Sequence, residues 1–235
     1  MNHIELLGVK IATLKPSEIQ SLLADFLQHT GLKQIATVNP EFLVTAQEDS
    51  EFKAILNAAD LALPDGVCII YVSKVLGKKI SLTNRMTGVE VTHALLKLAE
   101  AQQKSVEIVL PANSLSSKEE ILTSIHEQYP HCIIRTISPD TVDEQSPRAD
   151  IVFVALGAPQ QEKWIWEHRE KLLGTKIAVG VGGTFDFISG KISRAPHWMR
   201  SVGLEWLWRL YKEPKRRFRR IIRAVIVFPW LALTK

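Results

Sequence analysis

The chain has 235 residues, of which 46% are hydrophobic and 23% charged, and this is the composition of a soluble globular protein with a sizeable core. No apolar run reaches the roughly 18 residues that a membrane-spanning helix needs, and the N-terminus lacks the basic and apolar regions of a signal peptide. The two cysteines, Cys68 and Cys132, lie among apolar neighbours and form no C-x-x-C pair. We therefore expect a cytoplasmic protein whose cysteines are reduced.

The net charge of +4 conceals an acidic body and a basic C-terminal segment. Residues 196–235 contain 10 Lys or Arg and 2 Asp or Glu, a net charge of +8, so residues 1–195 carry −4. Such a segment indicates an anionic partner, for which phosphate, nucleic acid and a membrane surface are the candidates. The sequence is thus predicted to divide into a domain at 1–195 and a C-terminal appendage at 196–235.

Short apolar runs alternate with helical patterns through the first domain. After an extended start at 3–14, Ser17-Glu18-Ile19-Gln20 reads as a capping box that opens a helix towards Gly31. Strands are predicted at 34–38, 61–63, 106–110, 132–137, 151–156 and 176–181. Helices are predicted after Asn39 and Ser50, at 66–76, 87–103 and 116–129, and from about Gln160. This alternation, with several strands apolar throughout, predicts an α/β fold with a mostly parallel sheet and helices on both faces.

Asp65 follows the predicted strand 61–63 directly and is flanked by Pro64 and Gly66. Open α/β sheets bind their ligands beyond the carboxyl ends of the strands, so a carboxylate at this point is placed to act as a general base. The alternative is a Pro-Asp-Gly turn, in which the aspartate bonds only its own backbone.

Polar groups and glycines follow the other strands as well. They are Thr37, Asn39 and Glu41 after 34–38, Gly157, Gln160 and Gln161 after 151–156, and Gly182, Gly183, Thr184 and Asp186 after 176–181. Each has a local explanation, such as helix capping by Asn39, but all of them belong to one edge of a parallel sheet. Their coincidence predicts a pocket at that edge.

Several common kinds of site have no motif in this chain. There is no dinucleotide-binding G-x-G-x-x-G, no P-loop and no G-x-S-x-G, the seven histidines are scattered, and no D-x-D occurs. A metal site and a cofactor are therefore not expected. General-base chemistry on a neutral or phosphate-bearing substrate remains, with Asp65 as the base and arginines stabilising negative charge.

The basic segment contains a strongly amphipathic helical pattern at 215–228. One face carries Phe218, Ile221, Ile222 and Val225, and the opposite face carries Arg216, Arg219, Arg220 and Arg223. Pro229 and the shortness of the apolar run oppose a membrane span, whereas a helix lying among anionic lipid headgroups fits both faces. The alternatives are a helix packed on the body with solvated arginines, and nucleic-acid binding, for which no motif beyond charge is present.

Ordered motifs along most of the chain resemble one known family. They are Thr37-Val38-Asn39-Pro40-Glu41, Pro64-Asp65-Gly66, Gly157-Ala158-Pro159-Gln160-Gln161-Glu162-Lys163-Trp164, Gly180-Val181-Gly182-Gly183-Thr184-Phe185-Asp186, Gly190, Arg194-Ala195-Pro196, Gly203-Leu204-Glu205-Trp206, Arg209 and Glu213-Pro214. From Thr37 almost to its end, the chain resembles the WecG/TagA/CpsF glycosyltransferases.

The resemblance implies a Rossmann-like sheet and an inverting, metal-independent glycosyltransferase without a cofactor. Members of the family commonly transfer N-acetylmannosamine or its uronate from a UDP donor to undecaprenyl-diphosphate-linked N-acetylglucosamine, in the synthesis of teichoic-acid linkage units or other surface polysaccharides. The expected partners are the UDP-sugar, the lipid-linked acceptor and the anionic inner face of the cell membrane, reached through the C-terminal helix, and nucleic acid is not expected. The donor sugar, the pathway and the oligomeric state, a homo-oligomer included, stay open.

The resemblance also assigns roles to individual residues. Asp65 corresponds to the base that deprotonates the acceptor hydroxyl, and Gln161 to a residue that binds the donor or positions the acceptor sugar. The other expected substrate-binding residues are Thr37 and Asn39 beside the base, Arg85 near the donor phosphates, Gly182 and Gly183, and Arg209, Arg216 and Arg219 from the appendage.

The chain departs from the family pattern at a loop that follows the strand at 106–110. It reads Pro111-Ala112-Asn113-Ser114 where members carry a Gly-rich segment that belongs to the expected donor-binding region. This departure motivates an alternative from another class of protein, namely a catalytically silent, membrane-associated protein that binds a nucleotide sugar.

Overall fold

A computed structural model describes residues 2–141, 149–196, 198–199, 203–212 and 214–234, without the side chains of residues 141, 209 and 215–217. The chain starts with a two-stranded antiparallel hairpin formed by β1 (His3–Leu6) and β2 (Val9–Ala12). This hairpin is the extended start that the sequence predicts. It is separate from the main sheet.

The centre of the molecule is a six-stranded parallel sheet. Its strands are β3 (Lys33–Val38), β4 (Leu61–Pro64), β5 (Ser105–Val109), β6 (Ile133–Ile137), β7 (Ile151–Val154) and β8 (Ile177–Gly180). Their order across the sheet is β4-β3-β8-β7-β5-β6, and every pair is parallel. The carboxyl ends of all six strands therefore lie at one edge.

Helices connect the strands. They are α1 (Pro16–Gln28), α2 (Pro40–Glu48), α3 (Ser50–Ala58), α4 (Val67–Val75), α5 (Gly88–Ala101), α6 (Lys118–Gln128), α7 (Gln160–Glu167) and α8 (Thr184–Ile188), with short 3-10 turns at Leu82–Asn84 and Pro139–Thr141. Side chains alternate between the two faces of each strand. In β7, Ile151 and Phe153 pack with α1, α5 and α6, whereas Val152 and Val154 pack with α7. The predicted α/β fold with helices on both faces is confirmed.

The start of α1 differs from the prediction. The helix begins at Pro16, and the Oε2 atom of Glu18 accepts a hydrogen bond from the backbone N–H of Lys15 at 2.6 Å. The capping box predicted at Ser17 is therefore wrong. Proline is favoured at the first position of a helix, where no hydrogen-bonded N–H is needed, and it moves the start ahead of Ser17.

The C-terminal segment is helical, as predicted, but not as one regular helix. It consists of α9 (Glu205–Lys212), α10 (Pro214–Ile222), a π turn at Arg223–Val227, and α11 (Phe228–Thr234). Phe228 is fully buried in a core cluster that also contains residues of α2 and α4. Within the described ranges, no helix is long and apolar enough to cross a membrane.

The basic side of this segment is turned partly towards the body. Arg220 forms an ion pair with Glu41 at 2.6 Å, and Arg223 forms one with Glu48 at 3.0 Å and also contacts Thr45. Glu41, Thr45 and Glu48 all belong to α2. This arrangement is a packed helix, but two of its arginines are paired with carboxylates rather than only solvated.

Candidate active site

A cavity of about 360 Å³ opens at the carboxyl edge of the sheet. The residues of the sequence-predicted pocket that line it are Thr37, Asn39, Asp65, Gly157, Gln161, Gly182, Gly183, Thr184 and Asp186. They come from the ends of β3, β4, β7 and β8, which are far apart in the sequence but adjacent in space. The structure thus brings most of the predicted strand-end residues to one cavity.

The backbone around Asp65 is fixed by two neighbouring elements. Its N–H donates to the carbonyl oxygen of Val38 in β3 at 2.7 Å, and the carbonyl of Pro64 accepts from the N–H of Met86 at 3.0 Å. The Oδ2 atom of Asp65 accepts a hydrogen bond from the N–H of Gly88, the first residue of α5, at 3.4 Å. The carboxylate therefore contacts the N-terminus of a sequence-distant helix, which the simple turn interpretation does not provide.

Thr37 and Asn39 line the cavity beside Asp65, on the β3 side, and both make structural hydrogen bonds. The hydroxyl of Thr37 donates to the carbonyl of Gly180 at 3.1 Å and so ties β3 to β8. The Oδ1 atom of Asn39 caps α2 by accepting from the N–H of Phe42 at 3.1 Å. Both side chains also line the cavity. Helix capping and pocket formation are therefore not alternatives for Asn39.

Gln161 is buried at the start of α7 and is held at both ends of its amide. Its Oε1 atom accepts from the N–H of Gly182 at 2.9 Å, and its Nε2 atom donates to Oε1 of Glu162 at 2.6 Å. Gly180 lies beside this pair, and a Cβ atom there would be 2.5 Å from both Gln161 Nε2 and Glu162 Oε1. The amide is thereby presented to the cavity in a fixed orientation.

Glu162 is a buried carboxyl group that reasoning from the sequence did not identify. Burial raises its pKa from 4.5 to about 8, although the hydrogen bond from Gln161 acts in the opposite direction. Its Oε2 atom has no hydrogen-bond partner among the described residues. At neutral pH the group is therefore largely protonated and uncharged, and it supports Gln161 without adding a negative charge beneath the cavity.

Asp186 anchors the loop that departs from the family pattern. It is buried at the start of α8, and its Oδ1 atom accepts from both the N–H of Ser116 at 3.2 Å and the hydroxyl of Ser116 at 2.8 Å. Pro111, Asn113 and Ser114, which precede Ser116, line the cavity opposite α8. The loop is therefore part of the site, as its position in the sequence predicts.

A second cavity of about 170 Å³ adjoins the first on the side of the C-terminal segment. Asp65, Asn39, Thr87 and Arg220 line both cavities. The remaining lining of the second cavity comes from the starts of α2 and α4, the loop before α5, and the C-terminal segment. It consists of Pro40, Glu41, Gly66, Val67, Arg85, Gly203, Glu205, Trp206, Ile221 and Ala224. Asp65 thus lies between a polar cavity at the sheet and a smaller cavity beside the C-terminal segment from α9 to α11, which we call the tail.

The arginines are distributed differently from the prediction. Arg85 lines the smaller cavity but not the larger, while Arg194 and Arg220, which were not predicted as site residues, line the larger one. Arg219 is exposed on α10 and lines neither cavity. The side chains of Arg209 and Arg216 lie outside what the structure describes. A helical wheel places Arg220 on the basic face of the helix, but only the folded structure, in which Arg220 pairs with Glu41 of α2, shows that it lines the cavities.

Ligands for a metal ion do not cluster in the described part of the chain. No group of three or more His, Cys, Asp and Glu side chains there has a suitable arrangement. The two cysteines are unpaired, and burial raises the pKa of the Cys132 thiol to about 11. The acidic and basic side chains that line the two cavities are Glu41, Asp65, Asp186, Glu205, Arg85, Arg194 and Arg220.

Comparison with known proteins gives one consistent result. Residues 4–235 match the family described as glycosyl transferase WecG/TagA/CpsF. A protein of Bacillus spizizenii, strain W23, named N-acetylglucosaminyldiphosphoundecaprenol N-acetyl-beta-D-mannosaminyltransferase, is 35% identical over 84% of this chain and 81% of its own length.

Proteins with the same name from two further organisms are also similar to this chain. The one from Bacillus subtilis is 35% identical over 77% of this chain and 72% of its own length. The one from Staphylococcus aureus, strain MRSA252, is 26% identical over 91% of this chain and 86% of its own length. Together with the match over almost the whole chain, these relatives establish that the protein belongs to the WecG/TagA/CpsF family of glycosyltransferases.

Proposed function

We propose that the protein transfers N-acetylmannosamine from a UDP donor to undecaprenyl-diphosphate-linked N-acetylglucosamine, with inversion and without a metal ion. The observation that carries this proposal is the position of Asp65 between two cavities. A transferase must bring a donor and an acceptor together at one base, and two adjoining cavities that share a carboxylate meet this requirement. The names of the relatives supply the sugar and the lipid-linked acceptor.

Asp65 accepts the proton of the acceptor hydroxyl in this reaction. The hydroxyl oxygen forms a bond to the anomeric carbon of the donor, the bond from that carbon to the UDP oxygen breaks, and its electron pair leaves with the diphosphate. A single displacement of this kind inverts the anomeric centre. Arg194 and Arg220 line the larger cavity and supply positive charge where the leaving diphosphate gains negative charge.

The larger cavity is the proposed donor site because its lining is rich in hydrogen-bonding groups. Thr37, Asn39, Gln161, Gly182 and Gly183 are the residues expected to contact the donor there. Arg85 belongs to the smaller cavity. In this proposal it contacts the acceptor diphosphate, and Arg209, Arg216 and Arg219 add positive charge from the appendage.

The appendage at 196–235 is proposed to hold the enzyme at the inner face of the cell membrane, where the lipid-linked acceptor resides. Its seven basic residues from 214 onwards and its exposed Phe218, Ile226 and Trp230 support association with an anionic surface. The pathway proposed for the product is the synthesis of teichoic-acid linkage units or a related surface polysaccharide.

A catalytically silent nucleotide-sugar-binding protein is the second candidate. The observation in its favour is that Pro111, Asn113 and Ser114 line the donor cavity where the family carries glycines. Side chains in place of glycines narrow the space near a bound nucleotide. This candidate predicts binding of UDP without turnover.

The substitution Asp65→Asn tests the first candidate because it keeps the shape of the side chain and removes its basicity. We expect the turnover number to fall by about three orders of magnitude, within the range of general-base effects. Sugar transfer from UDP-N-acetylmannosamine to a short-chain, water-soluble lipid-diphosphate acceptor is the assay, with and without EDTA. UDP affinity by calorimetry should stay unchanged.

Three results would contradict the proposal, each in a different way. Near-normal turnover by the Asp65→Asn variant removes the base assignment. Wild-type protein that binds UDP but transfers no sugar to any lipid acceptor favours the silent binding protein. Loss of wild-type activity in EDTA that Mg²⁺ restores contradicts metal independence alone.

A further inference from the structure

Two segments of the chain are free of carboxylates and rich in basic residues. Residues 66–89 contain no Asp or Glu and 4 Lys or Arg, and residues 214–235 contain no Asp or Glu and 7 Lys or Arg. The other 189 residues hold all 25 acidic side chains. The positive potential of these two segments is therefore not reduced by acids of their own.

The two segments meet in the folded protein. Helix α11 packs against α4, and Phe228 and Ala232 of α11 share a core cluster with Ile69 and Val72 of α4. At the other end of α4, a Cβ atom on Gly203 would overlap the side chain of Val67, so the start of the tail is also in close contact with α4. Helices α4 and α11, one from each carboxylate-free segment, thus lie side by side.

Helix α4 exposes an apolar face bordered by lysines. Tyr71 is 51% and Val75 is 74% exposed, and their i, i+4 spacing makes them neighbours on the helix. Lys74 lies between them, and Lys78 and Lys79 follow directly and are exposed as well. Large apolar side chains at this level of exposure, grouped on one helix face, are typical of a contact surface rather than of scattered surface residues.

Helix α11 and the preceding π turn expose a matching stripe. Ile226, Trp230 and Leu233 follow i, i+4, i+7 spacing, and each is more than half exposed. Phe228 and Ala232, on the other side of α11, are buried against the body. The tail is therefore fixed to the protein by one apolar face and presents another outwards, beside α4.

We propose that α4 and the following residues to Lys79 form a second membrane-contacting element, which inserts Tyr71 and Val75 among the headgroups of an anionic bilayer beside α11. A second copy of the chain fits less well, because a symmetric interface would place Lys74, Lys78 and Lys79 of one copy close to the same lysines of the other. Nucleic acid also fits less well, because the exposed Val75, Ile226 and Leu233 offer it neither hydrogen bonds nor stacking surfaces. Apolar side chains flanked by lysines match an interfacial helix at anionic lipid.

This inference rests on the proposed association of the tail with the membrane and makes it more specific. Helix α4 begins at Val67, which lines the smaller cavity together with Asp65 and Gly66. A bilayer in contact with α4 and α11 therefore lies next to the cavity proposed for the lipid-linked acceptor. The headgroup of that acceptor can reach Asp65 without leaving the interface.

Sedimentation of the full-length protein with vesicles tests the second contact. The vesicles contain phosphatidylcholine alone or with phosphatidylglycerol, and the variants are Val75→Asp and the triple substitution Lys74→Glu, Lys78→Glu, Lys79→Glu. We expect each variant to lower partitioning onto anionic vesicles by about tenfold. Leu173→Asp is the control, since Leu173 is also 74% exposed but lies in the loop between α7 and β8. It should bind as the wild type does.

The outcomes separate this inference from the proposed reaction. Turnover on the short-chain, water-soluble acceptor should be unchanged in Val75→Asp, and absence of that turnover in the wild type would count against the reaction and not against the surface. Wild-type vesicle binding by both α4 variants overturns the inference. A Val75→Asp variant that changes the oligomeric state in solution, with vesicle binding intact, assigns the face to self-association and overturns it as well.

Discussion

The two walls that meet at Asp65 are built in different ways. On the sheet side, Thr37, Gln161 and Asp186 are buried, and each is held by hydrogen bonds to another strand end or loop. On the tail side, α9 and α10 contribute to the wall. Their polar links to the body include the ion pair of Glu205 with Arg194, a hydrogen bond from Trp208 Nε1 to the carbonyl oxygen of Ser193, and the partly exposed ion pair of Arg220 with Glu41. Exposed pairs of this kind contribute about 0–1 kcal/mol to stability.

The difference separates two functions of the site. Buried, fully hydrogen-bonded side chains keep their geometry before any ligand arrives, which is what positioning a donor requires. Ion pairs at the surface are weak and are screened by salt, so Arg220 can exchange Glu41 for an anionic ligand while Phe228 keeps the tail packed on the body. Substitutions on the sheet side should therefore change how the UDP-sugar is positioned. Substitutions on the tail side should change steps that depend on the attraction between arginines and phosphate groups.

Among the substitutions in the two walls around Asp65, Gly180→Ala should have the largest effect, because it changes the rigid wall. The new Cβ would lie 2.5 Å from Gln161 Nε2 and Glu162 Oε1, and both side chains are buried and cannot move away. We expect kcat/KM to fall by about 100-fold and the free energy of unfolding by about 1–3 kcal/mol, as for other overpacked sites. Steady-state kinetics and chemical denaturation provide the two measurements.

Val179→Ala is the matched control on the same strand. Val179 is fully buried but packs on the opposite face of β8, with the cluster that includes α5 and α6. The deleted methyl groups should reduce stability by a similar amount, about 2 kcal/mol, without displacing Gln161. Equal losses of kcat/KM in the two variants would show that stability, and not the position of Gln161, limits activity.

Arg220→Ala should have a smaller effect, and its neighbour Arg219 provides the comparison. Arg220 lines both cavities, whereas Arg219 is exposed and lines neither. Loss of a charge-assisted contact to diphosphate should raise the KM for the UDP donor by about tenfold in Arg220→Ala, and Arg219→Ala should stay within about twofold. The difference should shrink at high salt. A larger KM change in Arg219→Ala would restore the assignment made from the sequence.

The fold could be predicted because its strands are apolar runs and its helices have clear periodicity. The residues on the sheet side of the cavity could be predicted for the same reason. Residues that directly follow parallel strands lie at one edge of the sheet, and this rule identified Asp65, Thr37 and Gln161. The tail side could not be predicted equally well. A helical wheel treats 215–228 as one regular α-helix, whereas the π turn at Arg223–Val227 changes which side chains share a face after residue 222. The ion pair of Arg220 with Glu41 of α2 depends on the fold and cannot be derived from the wheel.

Two buried acids show a second limit of reasoning from the sequence. Glu162 follows Gln161 in a helix that contains other charged residues, and nothing in that pattern distinguishes it from an exposed glutamate. Its burial depends on the closeness of β8, where Gly180 leaves room for it. Asp186 has the position of a helix-start acid, but its partner Ser116 is 70 residues away in the sequence. Contacts of this range follow from the fold and not from local spacing.

The smallest effect on transfer activity is expected from Glu162→Gln, whose consequence is instead a change in the pH dependence of stability. The pKa of Glu162 is about 8 in the folded protein and has its usual value of 4.5 in the unfolded chain. Below pH 4.5 both states hold the proton, so the raised pKa costs no stability. Between the two pKa values the unfolded chain releases the proton while the folded protein retains it, so the free energy of unfolding decreases as pH rises.

Glutamine preserves the acceptor oxygen for Gln161 Nε2 and has no proton to lose in this range. The melting temperature of the wild type should therefore fall relative to that of Glu162→Gln as pH rises through the range that ends near pH 8, and the two curves should be parallel above it. Differential scanning calorimetry over this range measures the effect. Glu167→Gln, which removes an exposed carboxylate from the same helix, should follow the wild type. Parallel curves for the wild type and Glu162→Gln throughout would mean that Glu162 ionises normally in the folded protein, and that the Gln161 amide rests on a charged group.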